Sequence, residues 1–190
     1  KDILDFKFYT SDDYYVIEVE KSDGTVEEIE IYNDCYEQFG VVFENELIDS
    51  PRECRNKCIF CFMDQLPPNV RSTMRFKDDD VRLSFLAGNY VTLTNLSDAD
   101  IKRLCSLKVS PINVSVHVTD PERRCMMLNN RFAGKVLEIM RTFADAGIIM
   151  NAQIVLCKGI NSDGAGSVIS LEPKIGMLPF PCVFFLLIVW

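Results

Sequence analysis

The sequence predicts an α/β fold: parallel strands alternating with helices, curled into a partial (β/α) barrel, behind a small β-rich segment. Three observations carry this. From residue 82 to residue 157 the apolar pattern alternates strand, helix, strand, helix, strand, and repeats of that length imply parallel strands with right-handed crossovers. Strands buried on both faces normally read as continuous apolar runs, yet these carry a polar face. In Ile112–Val118 that face is Asn113, Ser115 and His117, opposite Ile112, Val114, Val116 and Val118. A polar face inside a parallel sheet is costly without partners, so a barrel with a ligand in its interior is expected. Third, residues 1–44 alternate around an Asp-Gly turn, which marks a hairpin.

In chain order, Leu4, Phe6 and Phe8 fit a short helix or a strand. Tyr15–Glu20 and Val26–Ile31 flank Ser22-Asp23-Gly24-Thr25 as the two arms of the hairpin, with its acidic residues a solvated face. Glu46–Asp49 is expected to be a short strand, and Pro67-Pro68-Asn69 interrupts any long helix. The charge run Lys77-Asp78-Asp79-Asp80 is expected at the surface. Arg82–Ala87 begins the repeating region as a strand. Ser97 is an N-cap with Asp100 at the capping-box position, followed by the stripe Ile101, Leu104 and Cys105. Ala133, Val136, Leu137, Met140, Phe143 and Ala144 recur at helical spacing, and Gly147 ends that helix. Ile148–Cys157 is the last clear strand, with Asn151 and Gln153 on the face of Cys157.

Composition narrows the function classes. A net charge of −8 disfavours non-specific nucleic-acid binding, which needs a basic face. The apolar stretch from Met177 is about fourteen residues, short of the roughly twenty that span a membrane, so no membrane association is expected. Eight cysteines without a leader point to a reducing, cytoplasmic compartment, where clustered cysteines bind metals more often than they form disulfides.

The cluster is Cys54-Arg55-Asn56-Lys57-Cys58-Ile59-Phe60-Cys61, spaced C-x3-C-x2-C. Three thiolates satisfy three irons of a cubane iron–sulfur cluster and leave the fourth free for an exchangeable ligand. Arg52, Arg55 and Lys57 are expected to lower the thiol pKa values. The alternative is a non-catalytic zinc module, completed by Cys35 or by His117, the single histidine. Cys105 and Cys125 are expected to be packing residues.

C-x3-C-x-aromatic-C, with Phe60 as the aromatic, resembles the signature of the radical S-adenosylmethionine (SAM) superfamily. The wider stretches CRNKCIFCFMDQLP, KDDDVRLSFLAGNY, VTLTNLSDADI and SPINVSVHVTDPERR resemble one uncharacterised radical-SAM family with a PDZ-like segment before the barrel and a domain of unknown function after it. The resemblance covers roughly residues 1–164. It implies a partial PDZ-like segment at 1–44, a truncated radical-SAM core at 45–164, and an aberrant hydrophobic tail at 165–190. The tail is expected to be poorly ordered or loosely packed, and the chain to be a piece of something longer. It further implies a [4Fe-4S] cluster on Cys54, Cys58 and Cys61, SAM on its open iron, and reductive cleavage of SAM to a 5′-deoxyadenosyl radical. Phe60 would border the SAM adenine, Gly88 and Asn89 would approach its methionyl end, and Ser115 and His117 would complete the cofactor site. An electron donor such as a flavodoxin or ferredoxin is implied. The substrate is not.

Overall fold

The computed structural model describes residues 2–33, 39–162 and 183–188. Two compact units divide at Ser50 and Pro51. The first begins with helix α1, Ile3–Tyr9, capped by a reciprocal Asp2–Asp5 box. This resolves Leu4, Phe6 and Phe8 as helical. Strands β1, Tyr14–Glu20, and β2, Val26–Tyr32, pair antiparallel as the alternation predicts. Gly24, at φ 83°, makes the turn possible, and the Asp23 carboxylate receives the Thr25 amide at 2.9 Å. Phe6 packs edge-on against Phe43, with ring centroids 5.1 Å apart. Glu46–Asp49 is not a strand but a run of bends.

The second unit is built on a parallel sheet in the order β3-β4-β5-β6. Its strands are β3, Tyr90–Val91; β4, Ile112–Ser115; β5, Met150–Leu156; and β6, Val183–Ile188. Helix α3, Asp98–Leu107, follows β3 and starts at Ser97 with the expected capping box to Asp100. Between β4 and β5 lie α4, Pro121–Leu128, a 3₁₀ turn at Ala133–Lys135, and α5, Val136–Asp145. The buried Ile112, Val114, Met140, Phe143, Ala152 and Ile154 form the core of this unit. Among the described residues the sheet is open, with no barrel, and no helix is long and apolar enough to cross a membrane.

Further expectations change. Arg82–Ala87 is not a strand: Val81–Ala87 is helix α2, because Asp80 caps its start by accepting from the Arg82 amide and Gly88, left-handed at φ 80°, ends it. The Asn113 side chain on the polar face of β4 finds its partners within the protein. Ser84 Oγ receives the Asn113 amide at 2.8 Å, and the Asn113 carboxamide bonds Gly88 O and Asn151 Nδ2, each at 2.7 Å. Finally, residues 183–188, expected to be loosely packed tail, form strand β6. It pairs with β5 from Asn151↔Val183 to Leu156↔Ile188 and covers the edge that β5 would otherwise expose.

Candidate functional site

The thiol loop is held by two separate supports. Its incoming arm runs against residues 77–80: Cys54 N–H donates to Lys77 O at 2.7 Å, Asp79 N–H to Arg52 O at 3.2 Å, and Glu53 bridges Asp78. Its outgoing arm rests on the end of α4, where Lys57 N–H donates to Leu128 O at 3.1 Å and Ile59 N–H to Met127 O at 3.0 Å. A helix leaves its last carbonyls without intrahelical partners. Here Asn129 turns left-handed and caps Cys125 and Met126, so the next two carbonyls serve the loop. Tight turns follow, with Cys61 N–H on Cys58 O at 3.1 Å. Cys58 and Phe60 pack on a buried apolar group of Val118, Met127, Leu128 and Ala133.

Cys54, Cys58 and Cys61 are free and half-buried. Burial pushes the Cys58 thiol up to about 12, and the neighbouring Cys54 and Cys61 add to it. Burial, then Asp79, raises Cys54 as well. The expected lowering by nearby cations is therefore reversed in this state. Part of the reason is geometric: Arg52 is turned to α3 and grips Asp100 bidentately at 3.0 and 2.8 Å. Lys77 is a cation that interacts with the thiols. Burial draws Lys77 downward, but its ion pair with Asp64 and the charges of Cys61 and Cys54 leave it raised. The three sulfurs thus share one electrostatic neighbourhood. Among the described residues, however, no three Cys, His, Asp or Glu side chains are converged as a metal site. Cys35 lies outside the described residues.

The remaining candidates divide into two places. Phe60 and His117 meet edge-on, with centroids 4.6 Å apart. His117 is buried, and burial followed by the Arg124 charge pushes it down to about 3, so it is neutral. Its Nδ1 accepts the Val155 amide at 3.2 Å. Ser115, just before it, is buried and gives its carbonyl to Arg124 Nη2 at 2.7 Å. Gly88 and Asn89 lie between the end of α2 and the start of β3, following a helix rather than a strand. Asn89 Nδ2 donates to Asp78 Oδ2 at 2.6 Å, which ties it to the incoming arm of the loop.

Three residues of this region escape sequence reasoning. Arg124 is 1% exposed and bonds the carbonyls of Val116 at 2.9 Å, Ala133 at 2.5 Å, Thr92 at 3.0 Å and Ser115 at 2.7 Å. Burial lowers it to about 10, and the charges of Asp79 and Cys58 act against that. The signal for its helix was present as Asp120-Pro121, an N-cap followed by proline at the first helical position. Asp79, expected at the surface, is 1% exposed; it accepts from Thr92 N–H at 2.6 Å and from Thr92 Oγ1 at 2.7 Å. Asn56, within the thiol loop, is likewise buried. A cleft of about 930 Å³ opens beside Cys54, bordered by Arg55, Thr94, Asn130 and Phe132.

Comparison with known proteins gives one match. Residues 33–172, well over half of the chain, match the family described as Radical SAM-like domain. No curated protein and no solved structure matches the chain.

Proposed function

The chain belongs to the radical SAM-like domain family, which gives it a radical-SAM-type function in general, and on that premise we propose that Cys54, Cys58 and Cys61 hold a [4Fe-4S] cluster whose open iron takes SAM. One observation supports this beyond membership: three unpaired, half-buried thiols on one short loop, near enough for each charge to raise the Cys58 pKa. That donor set fits three irons of a cubane cluster. When bound, the cluster would supply the electron for reductive cleavage of the SAM C5′–S bond to methionine and a 5′-deoxyadenosyl radical.

The protein's part is to bind, orient and exclude water. The two supports of the loop, residues 77–80 and the end of α4, hold the segment that carries the thiols. In this reading Phe60, steadied by His117, borders the adenine, while Gly88 and Asn89 approach the methionyl end beside Asp78 and Ser115 lines the sheet. His117 remains neutral, so it offers a polar edge without charge. An electron donor such as a flavodoxin or ferredoxin completes the system. The assignment of residues 1–44 as a PDZ-like segment rests on the resemblance alone.

The test is anaerobic reconstitution of the whole chain with iron and sulfide, followed by SAM and a strong reductant. Wild type is expected to carry iron with acid-labile sulfide and to release 5′-deoxyadenosine. Cys54→Ala, Cys58→Ala and Cys61→Ala each lose both, and Cys105→Ala loses neither. Stoichiometric zinc without sulfide in anaerobically prepared protein would overturn the reading in favour of a zinc module.

A further inference from the structure

Asn56 stands between two of the cluster-binding candidates and is 2% exposed. Its two amide hydrogens face three acceptors: Thr92 Oγ1 at 2.9 Å, Thr94 Oγ1 at 3.0 Å and the sulfur of Cys54 at 3.4 Å. Its Oδ1 accepts from Asn130 Nδ2 at 2.6 Å and from Thr94 Oγ1 at 3.2 Å. One carboxamide therefore joins the thiol loop to the chain leaving β3 and to the chain leaving α4.

The direction of that carboxamide follows from its neighbours. The Phe132 amide can only donate, and it donates to Asn130 Oδ1 at 2.9 Å. This turns Asn130 Nδ2 toward Asn56, where it requires an oxygen. Asn56 Oδ1 must face Asn130, so Nδ2 faces Cys54. Beyond Thr92 the network ends on the buried carboxylate of Asp79. A saturated buried network of this kind has one low-energy arrangement, and breaking it leaves polar groups unpaired.

We propose that Asn56 is the positioning residue of this site: it clamps the thiol loop in its cluster-receiving shape and directs an N–H onto the Cys54 sulfur, which sets the reduction potential of the bound cluster. The second half rests on the cluster reading above; the clamp does not. Hydrogen bonds to cluster sulfurs are among the protein's levers on potential, and outer partners of metal ligands hold those ligands in orientation.

Two variants separate clamp from tuning. Asn56→Ala removes both. Asn56→Asp removes the donors and adds a negative charge, while its carboxylate still accepts from Asn130 and from the Thr94 hydroxyl; the Thr92 hydroxyl keeps its proton on Asp79. The first measurement is amide hydrogen exchange at Lys57 and Ile59 in the whole chain without cluster. Asn56→Ala is expected to raise it by about tenfold, the scale of one net hydrogen bond, while Asn56→Asp stays near wild type. The second is the cluster potential after anaerobic reconstitution, which both variants shift to more negative values. Unchanged exchange in Asn56→Ala sinks the clamp, and an unchanged potential in Asn56→Asp sinks the tuning. If wild type takes up no iron and sulfide, the cluster reading fails while the exchange result still decides the clamp.

Discussion

Asp79 shows how a single carboxylate registers its surroundings. Burial lifts its pKa from 3.8 to about 6, against the lowering by its hydrogen bonds from Thr92. The folded state therefore binds a proton more readily than the unfolded state. The resulting penalty on stability is fully present above about pH 6, fades as pH falls from there, and is gone below the unfolded value of 3.8. Asp79→Asn keeps an oxygen for the Thr92 amide and removes the charge. It is expected to stabilise the chain by about 3 kcal/mol at pH 7.5 and by little near pH 4, from the size of the shift. Urea unfolding at the two pH values measures this, and an equal effect at both would remove the burial account. The neighbouring Arg124 has the opposite character. Truncating it to Ala takes a charged donor from four buried carbonyls, of which Val116 O keeps the Val118 amide, and a loss of about 3 kcal/mol is expected, whereas Lys102→Ala on an exposed helix face stays within about 0.5 kcal/mol.

At the scale of elements, α4 decides most. Its last carbonyls carry the loop, and its first residue packs against the 3₁₀ turn before α5. A methyl group added at Gly134 would lie 3.0 Å from Pro121 Cβ and 3.3 Å from Pro121 O, so the rigid proline ring and its backbone are the obstacle. Gly134→Ala is expected to cost about 1–3 kcal/mol by overpacking and to loosen the loop through α4, seen as faster exchange at Ile59. Elements with a local signal were legible in the sequence: the Asp-Gly hairpin, the Ser97 box, and the apolar periodicity of α5. The thiol spacing was equally plain. Helix α2 was misread because six residues of mixed character fit either period, and its caps, Asp80 and Gly88, decide the matter only once they are weighed. Asp79, Asn56 and Arg124 were out of reach for a different reason. A buried polar residue looks like a surface one until its partners are known, and theirs lie 13, 36 and 32 residues away, at Thr92 in each case.

For the larger unit, the sheet is the organising object, and β6 is what the sequence least suggested. An apolar run without helical or strand punctuation reads as tail; its pairing with β5 depends on an edge elsewhere. A chain ending at residue 182 would leave the main-chain groups of β5 unpaired along that edge. Such a truncation is expected to elute mostly as aggregate in size-exclusion chromatography where the complete chain gives a larger non-aggregated fraction. Equal elution of the two would show that β6 is dispensable to the sheet.

The bond between Asn56 and Asn130 spans 74 residues. During synthesis the cysteines leave the ribosome long before the helix end that shapes their loop. At about 5–20 residues per second the delay is roughly 4–15 seconds. Through that interval the thiols belong to an unfinished chain, open to oxidants and stray metal ions. If the three thiols take up the proposed cluster, its loading is a question of timing as well as of affinity.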